Sequence, residues 1–443
     1  MSLTATHEKD VNMPVRAVMG ATIGTALEWF DFSLYGVLSA TVFPKLFFPS
    51  LDPTTGLLAS LATFGVGLAA RPLGAVICGY LGDKYGRRML LMITVTIMGM
   101  SSFLMGLLPT YAHVGIWAPI FLVILRVFQG FALGGESTGA QLMALEHASD
   151  DRRGKYSGLL GTCSPISQIM ANGVMLLLAW WLSAEAFESF GWRIPFLLSF
   201  ILVLVGIYIR MKVSETPAFE QLKKTKKAMV SSPLRDAFKF HWKEILRLTL
   251  VYCGTTALFY LVAVFSLGYI TGTLGVSREI GFAALMAANV CAIIGALGGG
   301  MLSDRIGRKK ALALGTVAAL IILIVYFPML DTKNPFAIAI AMGLLLGFTQ
   351  YQAGIQPVYF AEAFPTNVRY SGSALSYTAA NLFAGATLPA FAVWLLRTFN
   401  GSPWSIVMVV GTWVVLSLIM VLMGAETRFR SLDALDRHQA ALH

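Results

Sequence analysis

GYLGDKYGRR, residues 79–88, returns as GGMLSDRIGRKK at residues 299–310. Each copy is a burst of charge between two long apolar runs, the pattern of a short basic loop joining two membrane helices on the cytoplasmic side. Asp83 and Asp304 are 221 residues apart in a chain of 443, so the copies mark a duplicated architecture. In both, an Asp precedes a Gly and then Arg or Lys. Gly86 and Gly307 can supply a turn that keeps Arg87, Arg88 and Arg308 near the two aspartates. Two unrelated charged loops would not share this order at half-chain spacing.

Composition agrees. With 56% hydrophobic and 13% charged residues and a mean hydropathy of +0.71, the chain has more apolar surface than a soluble core of this length buries. A soluble enzyme is excluded on that ground. The net charge of +10 is no nucleic-acid signal, because the basic residues sit in short loops between apolar spans. Cys78, Cys163, Cys253 and Cys291 lie in four different spans with no disulfide or zinc spacing. The six histidines form no metal-ligand pair, and no cofactor is expected. The polar N-terminus, MSLTATHEKDVNM, lacks the plan of a cleaved signal, so the first apolar run is read as a retained span.

A span needs about 20 apolar residues. That criterion gives twelve, at 17–42, 57–81, 89–109, 117–146, 155–182, 192–211, 243–271, 279–302, 311–330, 335–361, 370–397 and 403–424. Of 33 Lys and Arg, 26 fall in or beside one set of loops and five on the other side, which puts both termini in the cytoplasm. Residues 212–242, with QLKKTKKAMVSSP, are read as a linker between an N-terminal six-helix bundle (1–211) and a C-terminal one (243–424), and 425–443 as a tail. Glu215-Thr216 and Glu426-Thr427 recur at nearly the half-chain offset, as do Glu146 and Glu362.

Ionisable groups inside spans are costly and so point to function. Five lie well inside: Glu28, Asp31, Arg71, Arg126 and Glu136, all in the first half. At 1.5 Å rise per residue, Glu28 lies about 18 Å from its cytoplasmic helix end, and Arg71 and Glu136 about 15 Å from theirs. Those three are at pairing depth, whereas Asp31 is a turn further out with Tyr35 on its face. Arg126 and Gln129 share a stripe of the fourth span. The second half carries uncharged polar stripes: Tyr252 and Tyr260 on the seventh span, Gln352 and Gln356 on the tenth, Tyr377 and Asn381 on the eleventh. Each has a plainer reading. Glu28, Asp31 and Arg71 would serve equally as a structural cluster, Arg126 as a snorkelling interfacial arginine, Glu136 as a helix-helix bond, and the tyrosines and glutamines as packing.

With GTALEWFDFSLYG (24–36), AARPLGA (69–75), RVFQGFALGGE (126–136) and GWRIPFLLS (191–199) added to the repeated loop, the chain resembles the metabolite:proton symporter branch of the major facilitator superfamily. That branch includes carriers of shikimate, ketoglutarate, citrate, proline and betaine. The resemblance spans nearly the whole chain and implies an all-α membrane protein of twelve helices in two six-helix bundles, with helices 1, 4, 7 and 10 lining a central path. It implies a monomer in the bacterial inner membrane that moves a small solute with protons.

The expected mechanism joins these lines. Arg126, aided by Arg71, Gln129, Tyr35 and the polar stripes, holds an anionic group of the solute. Asp31, assisted by Glu28 or Glu136, carries the proton, since a poorly hydrated carboxylate favours its neutral form and a nearby Arg its charged form. Asp83, Arg87, Arg88, Glu146, Asp304, Arg308 and Glu362 form a cytoplasmic gate. A small organic acid is the expected solute, because a fixed cation suits a carboxylate and the short tail differs from the coiled-coil terminus of osmosensing betaine carriers in the branch. A zwitterion such as proline or betaine is the alternative. A non-transporting membrane sensor of the same fold is the rival from another class.

Overall fold

In the computed structural model, Ala26 and residues 29–85, 87–134, 141–142, 145, 148, 151–211 and 233–428 are described. Glu28, Glu136 and Glu146 lie outside them, and the side chains of Asp83, Arg87 and Arg88 are likewise outside the description. The described residues are helical almost throughout and contain no strand. In a bilayer every backbone N–H and C=O must be bonded within the segment, so a polytopic chain of this composition has helices as its natural solution.

The spans are α1 (29–41), α2 (Pro53–Tyr85), α3 (Arg87–Leu107), α4 (Trp117–Gly134), α5 (Arg153–Trp181), α6 (Arg193–Met211), α7 (Pro233–Tyr260, continued by π-helical turns to Thr273), α8 (Arg278–Ile306), α9 (Arg308–Asp331), α10 (Pro335–Ala361), α11 (Thr366–Thr398) and α12 (Trp404–Met423). Nine stretches among the described residues are long and apolar enough to cross a membrane. Helix α7 begins at Pro233, so its first turns occupy part of the stretch expected as linker. Helix α8 likewise takes in Arg278 and the whole of LSDRI, because Gly307, at φ +97°, is where the chain can reverse into α9. Helix α10 starts on Asn334, whose side chain accepts from the N–H groups of Phe336 (2.9 Å) and Ala337 (3.4 Å), with Pro335 at the first helical position.

Helix pairing repeats across the chain. Helix α2 packs on α4, α3 on α4 and α3 on α6; in the second half α8 packs on α10, α9 on α10 and α9 on α12. The contacts between halves repeat too, with α5 against α8 and α11 against α2. Apolar side chains gain nothing by leaving lipid for each other, so these contacts depend on close backbone approach. At the α5–α8 crossing, Gly154 and Gly158 face Gly300 and Ala296, and a Cβ on Gly158 would come within 2.7 Å of the Ala296 carbonyl oxygen.

Among the described residues, two of the spans carry π-helical turns. In α7 they span Leu261–Phe265 and Tyr269–Thr273, and in α11 Asn381–Ala386. The Tyr260 hydroxyl donates to Asn381 Oδ1 at 3.4 Å, so a side chain at the edge of one wide turn meets the first residue of another. Such turns are frequent at functional sites.

Candidate functional site

Arg126 on α4 is completely buried, which removes the snorkelling reading. Its guanidinium carbon lies 4.2 Å from the Tyr35 ring centroid, 5.1 Å from Phe64 and 5.2 Å from Phe32. A central arginine costs about 3 kcal/mol on insertion scales, and each desolvated ring face returns about 0.5–2 kcal/mol. The rings therefore offset the burial without neutralising the charge. One guanidinium nitrogen donates to Gln129 Oε1, while Nε and Nη2 have no hydrogen-bond partner. Tyr35 is held beneath it by a 2.6 Å bond between its hydroxyl and that of Thr63 on α2.

Asp31 is 2% exposed and faces α3. The Ser102 hydroxyl donates to Asp31 Oδ2 at 2.5 Å, and Gln129 Nε2 donates to Ser102 Oγ at 2.8 Å. Asp31, Ser102, Gln129 and Arg126 thus form one buried polar chain across α1, α3 and α4, in which acid and base are linked through neutral groups and make no ion pair. Asp31 Oδ1 has no partner.

Arg71 on α2 lies 5.1 Å from the Phe32 ring centroid, so one ring has both arginines about it. Counting residues from helix ends puts Arg71 and Arg126 at different levels. The helices tilt and cross, and position along a helix does not equal depth in the bilayer.

From the second half, Tyr260 sets its ring edge-on to Phe64 (5.6 Å) and Phe32 (6.0 Å), closing the aromatic wall. Tyr252 packs edge-on against Tyr377 at 4.7 Å, and the buried Tyr377 hydroxyl has no partner. Gln352 is committed elsewhere: its Oε1 accepts from Thr316 (2.9 Å) and Thr255 (3.3 Å), and its Nε2 donates to the Phe348 carbonyl (3.3 Å). Gln356 Nε2 donates to Thr255 Oγ1 at 2.7 Å, and its Oε1 has no partner. Sequence reasoning missed Ser102, Thr63, Phe32 and Phe64. Small hydroxyls and phenylalanines are ordinary in membrane spans, so only the Ser101-Ser102 pair in an apolar run gave a faint signal.

At the end of the bundles that carries the repeated loop, Arg308 on α9 is fully buried. It donates to Asp304 Oδ1 at 2.6 Å and to both Glu362 oxygens at 3.3 Å. Burial pushes the Glu362 carboxyl above its usual range even though Arg308 opposes that shift. Asp304 also crosses between halves, accepting from the backbone N–H groups of Gly154 (2.9 Å) and Lys155 (2.8 Å) in the first turn of α5. A carboxylate is well placed at a helix N-terminus. Glu426 does the same for α9, accepting from the N–H groups of Arg308 (2.8 Å) and Lys309 (3.1 Å).

On the opposite side, Glu188 Oε1 accepts from Lys45 at 2.8 Å and Arg278 at 2.9 Å, joining the α5–α6 connection to α8. Partial burial raises the Glu188 carboxyl, and its two cationic partners outweigh that and hold it below the usual range.

Asp304→Asn removes charge from three bonds, the two across the halves from the Gly154 and Lys155 N–H groups and the one from Arg308, charge-assisted contacts worth about 1.5–3 kcal/mol each. Native Cys163, buried in α5 beyond this crossing, is then expected to react with a permeant maleimide about tenfold faster. An unchanged alkylation rate would show that Asp304 does not hold the closure.

Residues 21–386 match the family model of the Major Facilitator Superfamily. The chain is 36% identical, over 98% of its length and all of the relative, to the inner membrane metabolite transport protein YhjE of Escherichia coli. It is 35% identical to the glycine betaine/proline/ectoine/pipecolic acid transporter OusA of Dickeya dadantii, covering 86% of this chain and 78% of that one. It is also 35% identical to the shikimate transporter of Escherichia coli, over 87% and 89%. Among solved structures, the proton:xylose symporter XylE superposes with a TM-score of 0.76 at 19% identity, over 96% of this chain and 99% of the other. The chain belongs to the major facilitator superfamily. It has that family's twelve-helix fold and is a multi-pass membrane transporter of metabolites, not an enzyme.

Proposed function

We propose that the protein is a proton-coupled symporter of a small organic acid, working by alternating access between two six-helix bundles with both termini in the cytoplasm. The observation that carries this reading is Arg126: a buried guanidinium between three rings, with two unspent nitrogens and no carboxylate of its own among the described residues. A solute carboxylate completes it in bidentate fashion. Asp31 carries the proton. Its link to Arg126, three hydrogen bonds through Ser102 and Gln129, ties the proton to the occupancy of the guanidinium. Arg71 and Gln129 help hold the anion, and the Asp304–Arg308–Glu362 cluster serves as the cytoplasmic gate.

The wall of Trp29, Phe32, Phe259 and Tyr260 favours a second reading, a zwitterion whose cation rests on ring faces. The names of the relatives include both kinds of solute. Purified protein in liposomes with an alkaline lumen is expected to accumulate labelled carboxylates, and a protonophore should abolish the accumulation. Accumulation of betaine alone, with no organic acid taken up or competing, would establish the second reading instead.

A further inference from the structure

A small cavity lies between α1, α5 and α7, lined by Phe32, Val37, Gln168, Asn172, Phe259 and Val264 among others. It has room for about 10 Å3 of water-sized space, enough for about one water or one hydroxyl. Phe32 is shared: the ring that has Arg71 and Arg126 about it also forms a wall of this cavity. The α7 side is apolar and the α5 side carries two amides, so the lining is chemically two-faced.

Asn172 is the informative member. It is 1% exposed, and one N–H of its Nδ2 donates to the Gln168 carbonyl at 2.9 Å, while its Oδ1 has no hydrogen-bond partner. The Oδ1 is thus a buried acceptor still open to a donor. A buried carbonyl without a donor is costly, more so within a bilayer, and a group that donates to it is correspondingly favoured. The α5 helix was not among those expected to line the path, and the site uses neither Asn172 nor Gln168.

We propose that Asn172 Oδ1 is a specificity determinant that receives a hydrogen bond from the solute. The transported acid then carries an O–H or N–H donor at the end away from its carboxylate, and only that donor group enters the cavity beside Phe259 and Val264. This rests on the reading of Arg126 as the carboxylate site. It also separates the candidate solutes by chemistry. A hydroxy acid or an acid with an N–H satisfies Asn172, whereas a fully N-methylated ammonium or an unsubstituted aliphatic acid leaves the carbonyl without a partner.

The test is a competition and thermal-shift panel of matched pairs on the full-length protein, each pair a carboxylate with a hydroxyl or amino group and its counterpart without, such as malate and succinate, with glycine betaine added. Wild type is expected to prefer the donor-bearing member of at least one pair by tenfold or more, because sites built around a hydroxyl discriminate strongly against its loss. Asn172→Leu should bring that ratio to about one while proton-driven uptake of the donor-free member persists. A wild-type panel in which carboxylates bind but no pair is separated overturns the assignment and leaves the Arg126 reading standing. A panel in which no carboxylate binds removes both. If Asn172→Leu folds poorly, Asn172→Ala is measured in its place, and a preference that survives the loss of the amide overturns the assignment to Asn172.

Discussion

Asp31→Asn is expected to abolish accumulation of solute against its gradient, by a hundredfold or more relative to wild type, while leaving solute exchange within about threefold. Asparagine keeps the shape of the residue and still accepts from Ser102 through its carbonyl oxygen, so the chain to Gln129 and Arg126 survives in its neutral form. What is lost is the ability to release and take up the proton. A carrier fixed in the protonated state binds and exchanges but does not couple. The measurement compares uptake driven by an imposed pH gradient with counterflow in the same liposomes. Normal accumulation in Asp31→Asn would transfer the coupling role to Glu28 or Glu136.

The second large effect is at Arg126. Arg126→Lys keeps the charge but loses the planar fork, and an ammonium cannot present two parallel donors to a carboxylate or sit flat on the Tyr35 ring. Losing one of two charge-assisted hydrogen bonds to the anion costs about 1.5–3 kcal/mol. Apparent affinity for the solute is therefore expected to fall about a hundredfold, with a monodisperse elution profile showing that the fold survives. An unaltered affinity would mean that the anion is held elsewhere, with Arg71 the next residue to replace.

The repeated loop at 79–88 and 299–310 made the fold legible, because a duplicated charge pattern between apolar runs has few physical solutions. Asp31 and Arg126 were legible for a related reason: buried charge in a bilayer is rare enough to be noticed. Their connection was not. Ser102 costs little in a membrane helix and so leaves no compositional mark, yet it is the group through which the acid meets Gln129. The pairing of Arg71 with Phe32 was also hidden, since residue counting measures distance along an axis whose tilt the sequence does not reveal. The polar stripes of α7 and α11 run up to π-helical turns at Leu261 and Asn381, where 3.6-residue periodicity no longer tells which residues share a face.

The crossing of α5 on α8 has a consequence for speed. Gly154, Gly158 and Gly300 meet there as nearly bare backbone. Such a surface has no rotamers to sort when it separates and none to find again when it re-forms. Interlocked side chains would make each parting a small unfolding and each return a search. Here the joint is smooth, and the tie across it at Asp304 is a pair of hydrogen bonds to the Gly154 and Lys155 N–H groups. Strength and smoothness are thus assigned to different atoms. In the proposed alternating-access cycle, one carboxylate then sets how firmly the two halves hold together here, without roughening the surface on which they part.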